Sequence, residues 1–330
     1  MVMIVKNINF TSIPNDLKES VCCIGYFDGL HLGHQSLIKE CIQIAKEKKL
    51  VSGLITFDPD PWNIFFPERK CRHITTMKDR IQLASSLGIE IVYTITFSKE
   101  FASLNVDEFH DLLKKMNVCH LVCGFDFKYG SKNMGNVETL KKQSIFPVSI
   151  IQRVDINNKK ISSSSIEPYI CGGKIDKANQ NLGYIYSMSG TIEHGYKRGS
   201  ELLNIPTANL KVDNEYLIPS PGVYAGYVSI EDILYGAMIN VGNNPTFENK
   251  KVTVEAYIFD FNADIYDKNV RFFFQTKTRN EIKFNSFLEL KEQLHKDIGT
   301  CKKIIQNNPY LLNRTCQLWN KNYFEFHSEF

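Results

Sequence analysis

Two histidines, His31 and His34, stand inside the string Gly25-Tyr-Phe-Asp-Gly-Leu-His-Leu-Gly-His34. An apolar, strand-like run (Val21 to Ile24) precedes the string, and a helical run (Gln35 to Lys48) follows it. At the first turn of a helix, imidazole N–H groups add to backbone N–H groups that lack a partner inside the helix. Such a place is suited to hold a nucleotide triphosphate. Glycines at 25, 29 and 33 let phosphates approach the main chain closely. Asp28 is suited to fix a histidine tautomer or the shape of the loop. A lone His-x-x-His would read as a helix cap, but the whole string at a strand–helix junction reads as a nucleotide site.

A second set of residues lies far along the chain, in Arg198-Gly-Ser-Glu-Leu-Leu-Asn-Ile-Pro-Thr-Ala-Asn209. Thr207 and Asn209 are two apart on an expected strand, so they face the same way. Their oxygens can point together at a magnesium ion, which accepts few protein ligands and keeps phosphate oxygens in its shell. The polar loop Gly195–Ser200, with Lys197 and Arg198, is suited to clamp a nucleotide. In Val252-Thr-Val-Glu-Ala-Tyr-Ile-Phe259, Val252, Val254, Ala256 and Ile258 share one strand face, and Thr253, Glu255 and Tyr257 share the other. Spacing alone turns Glu255 toward solvent. Mid-strand is otherwise an expensive place for a carboxylate, unless it is used.

The elements that must position these residues change character along the chain. Val51–Phe57, Ile89–Thr96 and His120–Cys123 read as short buried strands, and helices separate them. In Gln35–Lys48, Leu37, Ile38, Cys41, Ile42 and Ala45 recur at helical spacing. Met77–Ser86 is a helix stopped by Gly88, and Asn105 with Glu108 forms a capping box that opens Phe109–Met116. This alternation predicts a doubly wound, Rossmann-like parallel sheet, in which ligands bind beyond the carboxyl ends of the strands. Strands without intervening helices follow Ser187: Met188–Ile192, Thr207–Leu210, Val223–Ser229, Leu234–Val241, Val252–Phe259 and Asn269–Phe274. They predict a small β-barrel, closed by helices over Ser286–Asp297 and beyond Cys301. The expected domains are 1–183 and 184–330, with the helical segment Ser163–Gly183 at the boundary.

Composition narrows the class. The 330 residues are 43% hydrophobic and 23% charged, enough for two normal cores. A net charge of +3 with no long basic run argues against a nucleic-acid partner. Met1–Lys6 lacks the build of a signal peptide, and no apolar run approaches the roughly 18 residues that span a bilayer. A cytoplasmic protein without membrane partners is the expectation. The nine cysteines, with no Cys-x-x-Cys spacing, read as reduced packing residues. The tail from Thr315 to Phe330 is apolar enough to dock either on the barrel or on a second copy of the chain as a homo-oligomer.

The Gly25–His34 string resembles the signature of the prokaryotic bifunctional riboflavin kinase/FMN adenylyltransferase family, also called FAD synthetase. The resemblance continues at Thr56-Phe-Asp-Pro-Asp-Pro61, Val122–Gly130 and Lys160-Ile-Ser-Ser-Ser-Ser-Ile166. It extends to the kinase-like Arg198–Asn209, Asn240–Thr246 and Lys277–Phe284, and so covers nearly the whole chain. It implies that the barrel phosphorylates riboflavin to FMN with ATP and magnesium. It implies that the first domain then transfers AMP from ATP to FMN, giving FAD and pyrophosphate. Gly25, Phe27, Asp28, Gly29, His31, His34, Ser162, Ser163 and Ser164 would border one ATP, with the two histidines acting in catalysis. Gly199, Thr207 and Asn209 would border the other, with Thr207 and Asn209 on the metal. Glu255 matches the family's general base for the ribityl 5′-hydroxyl. Asp126, Arg279 and Phe284 would meet flavin, Phe284 reading equally as a helix staple.

Three positions depart from the family's pattern: Asp60 replaces histidine, Glu167 replaces arginine and Asn204 replaces glycine. Glu167 reverses charge beside a polyanion. This motivates an alternative reading as a riboflavin kinase whose first domain binds nucleotide with impaired adenylyl transfer. A flavin-binding sensor without activity is a further alternative, opposed by intact Thr207, Asn209 and Glu255. A class I aminoacyl-tRNA synthetase fragment is suggested by His-Leu-Gly-His, and is opposed by the charge balance and the missing lysine-rich second signature.

Overall fold

A computed structural model describes residues 3–69, 71–193, 207–244, 251–306 and 309–323. The chain forms two compact units, Met1–Ser162 and Ser163–Phe330.

The first unit is built on six parallel strands: β1 (Ile4–Ile8), β2 (Ser20–Ile24), β3 (Val51–Asp58), β4 (Ile91–Thr96), β5 (Val118–Gly124) and β6 (Val148–Ile151). Their order across the sheet is β1-β4-β3-β2-β5-β6. Every residue of β2 is buried, as expected for a strand covered on both faces. Helices α1 (Leu32–Lys48), α2 (Met77–Leu87), α3 (Val106–Lys115) and α4 (Val137–Lys142) accompany the sheet. In α1 the buried positions are Leu37, Ile38, Cys41, Ile44 and Ala45, so Ile44 takes the place expected of Ile42. Gly88 ends α2 in the left-handed region, and Asn105 and Glu108 make both bonds of the capping box on α3. From β2 the chain passes to β3 on one side, while β5 later fills the other. The loop after β2 therefore sits at the reversal of strand order, where open α/β sheets bind ligands.

The second unit opens with α5 (Ser163–Cys171) and α6 (Ile175–Leu182). Six antiparallel strands follow: β7 (Tyr186–Glu193), β8 (Ala208–Val212), β9 (Gly222–Ile230), β10 (Ile233–Asn244), β11 (Lys251–Ile258) and β12 (Asn269–Arg279). They run β9-β12-β7-β8-β11-β10, and pairing of β9 with β10 closes the barrel. Closure removes the unpaired edges of an open sheet. Of the one or two helices expected here, the first, α7 (Phe287–Gln306), runs past Asp297 and Cys301 and packs on β9, β10 and β12. Then come α8 (Pro309–Trp319) and β13 (Asn322–Tyr323), which pairs with β10.

This docks the described part of the tail, through Tyr323, on its own barrel. Trp319 is buried against Phe273 and Tyr184, with the Arg271 guanidinium 3.9 Å over its ring. The contact division at Ser162 stands apart from the junction expected after residue 183. Asn179 supplies the reason. From α6 its amide donates to the carbonyls of Phe274 and Gln275 and accepts the Tyr186 N–H, all inside the barrel unit.

Candidate functional site

In the first unit the loop between β2 and α1 is tightly wound. Phe27, Gly29 and Leu30 all have positive φ, and Gly29 spares the turn a side chain at φ 76°. His31 caps α1: its Nδ1 accepts the backbone N–H of His34 at 3.3 Å. The two imidazoles stack with centroids 3.7 Å apart and planes 15° from parallel. A Cβ at Gly33 would lie 3.1 Å from the His31 ring, so this glycine lets the imidazole fold back over the helix start.

Burial pulls His31 down to about 4, with Asp28 and Asp126 opposing and Lys160 adding to the depression. Burial also holds His34 well below the usual histidine range, helped by His31 and Arg80. Both rings are therefore neutral at pH 7. Because Nδ1 of His31 is an acceptor, its proton lies on Nε2, which becomes a donor. The Nδ1 of His34 is buried without a hydrogen-bond partner, a cost that a bound group could relieve.

Asp28 serves the shape of the loop. Its carboxylate accepts from the backbone of Ile74 and Thr75, from the Thr75 hydroxyl, and from Arg80 Nη2 at 3.3 Å. The Thr75 hydroxyl in turn accepts the Gly29 N–H at 2.8 Å. Arg80 lies 4.1 Å over the Tyr26 ring and also donates to the Tyr26 carbonyl. The sequence reading missed Thr75 and Arg80. An arginine on the same helix face as Leu83 and Ala84 was the available signal.

Asp60 caps a short helix, Pro61–Phe65, through the Trp62 N–H, accepts the Tyr26 hydroxyl at 2.6 Å, and faces His73 Nε2 at 3.1 Å. An imidazole thus reaches this corner from a different segment. Asp126 pairs with Lys160, whose ammonium lies 4.9 Å over Phe125. Ser162 ends the first unit, while Ser163 and Ser164 begin α5 with Glu167 one turn on.

The second unit gathers its candidates by register. Asn209 on β8 stands opposite Glu255 on β11, and Glu255 stands opposite Asn240 on β10. Directly paired residues share a face, so two amides flank one carboxylate. Asn209 Nδ2 donates to the Thr207 carbonyl at 3.4 Å, which leaves Oδ1 as an acceptor. Burial raises the pKa of half-buried Glu255 above the usual carboxylate range. A Cβ at Gly242 would meet Thr253 Oγ1 at 3.2 Å, and Asn240 Nδ2 and Glu281 Oε1 at 3.4 Å, so these polar groups converge at the same end of the barrel. Asn240 and Glu281 were not singled out as site residues from sequence.

Arg279 is held by Asp297 of α7, with Nη2–Oδ2 at 2.6 Å and Nε within 3.0 Å of both oxygens. Phe284 is half-buried in the segment between β12 and α7. Gly199 and Asn204 lie outside the described residues.

Neutral oxygens on Thr207 and Asn209 suit a magnesium ion that arrives with phosphates, since the phosphates supply the negative charge. Among the described residues no cluster of histidine, cysteine and carboxylate ligands offers a rival metal site.

A tightly wound loop with paired histidines at a helix start on a parallel sheet, and a carboxylate between two amides on a barrel, fit the class of ATP-dependent transferases with two centres on one chain. Comparison with known proteins narrows it. The FAD synthetase family model matches residues 13–165, and the riboflavin kinase model matches 182–305. A bifunctional riboflavin kinase/FMN adenylyltransferase of Listeria monocytogenes is 38% identical over 84% of this chain and 90% of its own length. The protein of that name from Bacillus subtilis is 36% identical over 89% and 96%. A crystal structure described as a macrolide-efflux protein from Streptococcus pneumoniae superimposes with a TM-score of 0.85 at 34% identity, covering 91% of this chain and 99% of that one. That name stays with that protein; no helix among the described residues here is long and apolar enough to cross a membrane.

The chain belongs to the bifunctional riboflavin kinase/FMN adenylyltransferase family. It carries both activities, with riboflavin, FMN and ATP as substrates and FMN and FAD as products. The kinase-only alternative gives way, because the FAD synthetase region is present and the relatives are bifunctional.

Proposed function

We propose that the two activities divide between the two units and run on the residues gathered above. The observation that carries this reading is the register that sets Glu255 between Asn209 and Asn240.

In the barrel, Glu255 takes the proton of the riboflavin 5′-hydroxyl as that oxygen attacks the γ-phosphorus of ATP. The bond to ADP breaks, and FMN leaves. A carboxylate whose pKa is raised by burial is a better base for this than an exposed one. Thr207 and Asn209 would hold magnesium, which would neutralise phosphate charge when bound. Arg279, fixed by Asp297, and Phe284 border the flavin.

In the first unit, the α1 N-terminus and the neutral N–H groups of His31 and His34 bind the ATP phosphates. An FMN phosphate oxygen attacks the α-phosphorus, the bond to pyrophosphate breaks, and FAD forms. Donors already in place stabilise the charge that gathers on the leaving pyrophosphate. Ser162 adds a hydroxyl donor, and Asp126 borders the flavin. Asp28 acts through the loop it fastens. The enzyme works in the cytoplasm on dissolved small molecules, a setting that its modest charge of +3 supports.

Product chromatography with ATP and magnesium tests the division. Glu255→Gln should abolish FMN formation from riboflavin and spare FAD formation from added FMN. His31→Ala with His34→Ala should do the reverse. Loss of both activities in each folded variant would overturn the division.

A further inference from the structure

A cavity of about 380 Å³ opens in the second unit where the turn before α6 meets the end of β12. Its lining includes Gly173, Lys174, Asp176, Lys177, Lys277 and Arg279. Arg279, placed above beside the flavin, is shared with the kinase centre, and no residue assigned to phosphate or metal lies in the lining.

The charges around this cavity do not cancel. Asp297 neutralises Arg279, and the carboxylate of Asp176, which accepts the Thr276 hydroxyl at 2.7 Å, offsets only part of the charge of Lys174, Lys177 and Lys277. Among the described residues no carboxylate reaches ion-pair distance of Lys174, Lys177 or Lys277. The Lys277 ammonium donates to the neutral Ser220 hydroxyl at 2.8 Å and lies 5.7 Å from the Tyr224 ring. Burial pushes its pKa below the usual lysine range, and Glu281 acts against that shift from a distance. A half-buried ammonium without an ion partner is a cost that an anion would offset.

The backbone adds to the case. Lys174 is the N-cap of α6 and its side chain makes no capping bond, so the positive end of that helix adds to the lysines, with Asp176 of the first turn acting against it. Gly173 has φ 70°, and a Cβ there would stand 2.4 Å from Ser220 Oγ and 2.9 Å from Lys277 Cδ, so glycine suits both the turn and its close approach to these two side chains.

We infer that this cavity, which adjoins the kinase centre through Arg279, is a second anion site that takes a phosphate-bearing ligand between Lys174, Lys177 and Lys277. Three lysines act as point charges and suit a phosphate or pyrophosphate dianion better than a single carboxylate. The volume leaves room for more than one phosphate group.

Residue-resolved lysine acetylation of the full chain, followed by mass spectrometry, tests this. Inorganic phosphate, pyrophosphate and adenosine monophosphate are added in separate arms, each against sodium chloride at matched ionic strength. At least one phosphate arm should slow labelling of Lys277, Lys174 and Lys177 about fivefold at a few times the dissociation constant, while Lys39 and Lys303 label as before. The arm that protects best identifies the source of the phosphate. Lys174→Gln with Lys177→Gln should remove most of the protection at Lys277 and leave riboflavin phosphorylation intact. Absence of protection in every arm, equal protection by chloride, or full protection of Lys277 in the double variant would each overturn the site. The readout does not depend on turnover, so its outcome is separate from that of the catalytic assignments.

Discussion

His31 accepts the backbone N–H of His34 and stacks on its ring 3.7 Å away, so one imidazole caps the helix and covers the other. The arrangement commits both rings to the neutral state. It also determines which nitrogen of His31 carries the proton, and therefore which one faces a ligand as a donor.

Acid should loosen the protein through this pair. The folded pKa of His31, about 4, lies below its ordinary 6.5, so the unfolded chain binds the proton first as pH falls. The stabilisation that neutral His31 gives is complete above about pH 6.5 and is lost progressively down to about pH 4, at a cost of about 3 kcal/mol. Denaturation midpoints between pH 7.5 and 4.5 should fall less steeply for His31→Gln than for the parent. Equal slopes would show that the ring is not held neutral.

Kinase activity should have an acid limb above the usual carboxylate range. Glu255 must be ionised to accept a proton, and burial raises its pKa. The pH profile of kcat/KM for riboflavin should therefore fall off at a higher pH than an exposed glutamate would dictate. Glu255→Gln should lose about 10²–10⁴ in kcat and the limb with it. A limb that persists in Glu255→Gln belongs to another group.

Asp28 and Arg80 should be strongly coupled. Removing the carboxylate strands a buried guanidinium, and such breaks cost about 3–5 kcal/mol. Asp28→Asn should therefore destabilise more than Asp28→Asn with Arg80→Met, and should lower FAD formation while sparing FMN formation. A double-mutant cycle with no coupling energy would contradict the loop-fastening part given to Asp28.

Arg279→Lys should not be conservative. Lysine keeps the charge but cannot make the paired bonds to Asp297. The riboflavin KM should rise, and Asp297→Asn should raise it in the same direction, since both release one fork. An unchanged KM in both variants would remove Arg279 from the flavin site.

Much of this was legible in the order of residues. The helical spacing of Leu37, Ile38, Cys41 and Ala45, the Asn105–Glu108 box and the Gly88 stop are local features, and local geometry decides them. The boundaries of β10 and β12 were harder, because cross-strand pairing carries both to the rim of the barrel, beyond their apolar stretches. The end of helix α7 was set too early, near Asp297, a buried carboxylate whose partner Arg279 comes from a strand.

By itself the sequence determined where the Gly25–His34 string, the Thr207–Asn209 pair and the two fold types would lie, since glycine, histidine and hydrophobic periodicity act over short distances. Only the tertiary structure decided what Asp28, Asp60 and Arg279 touch, because their partners Arg80, His73 and Asp297 arrive from other elements. It also decided the flanking of Glu255 by two amides. Charge and hydrogen bonding are satisfied in space, and spacing along the chain does not encode which distant group will meet them.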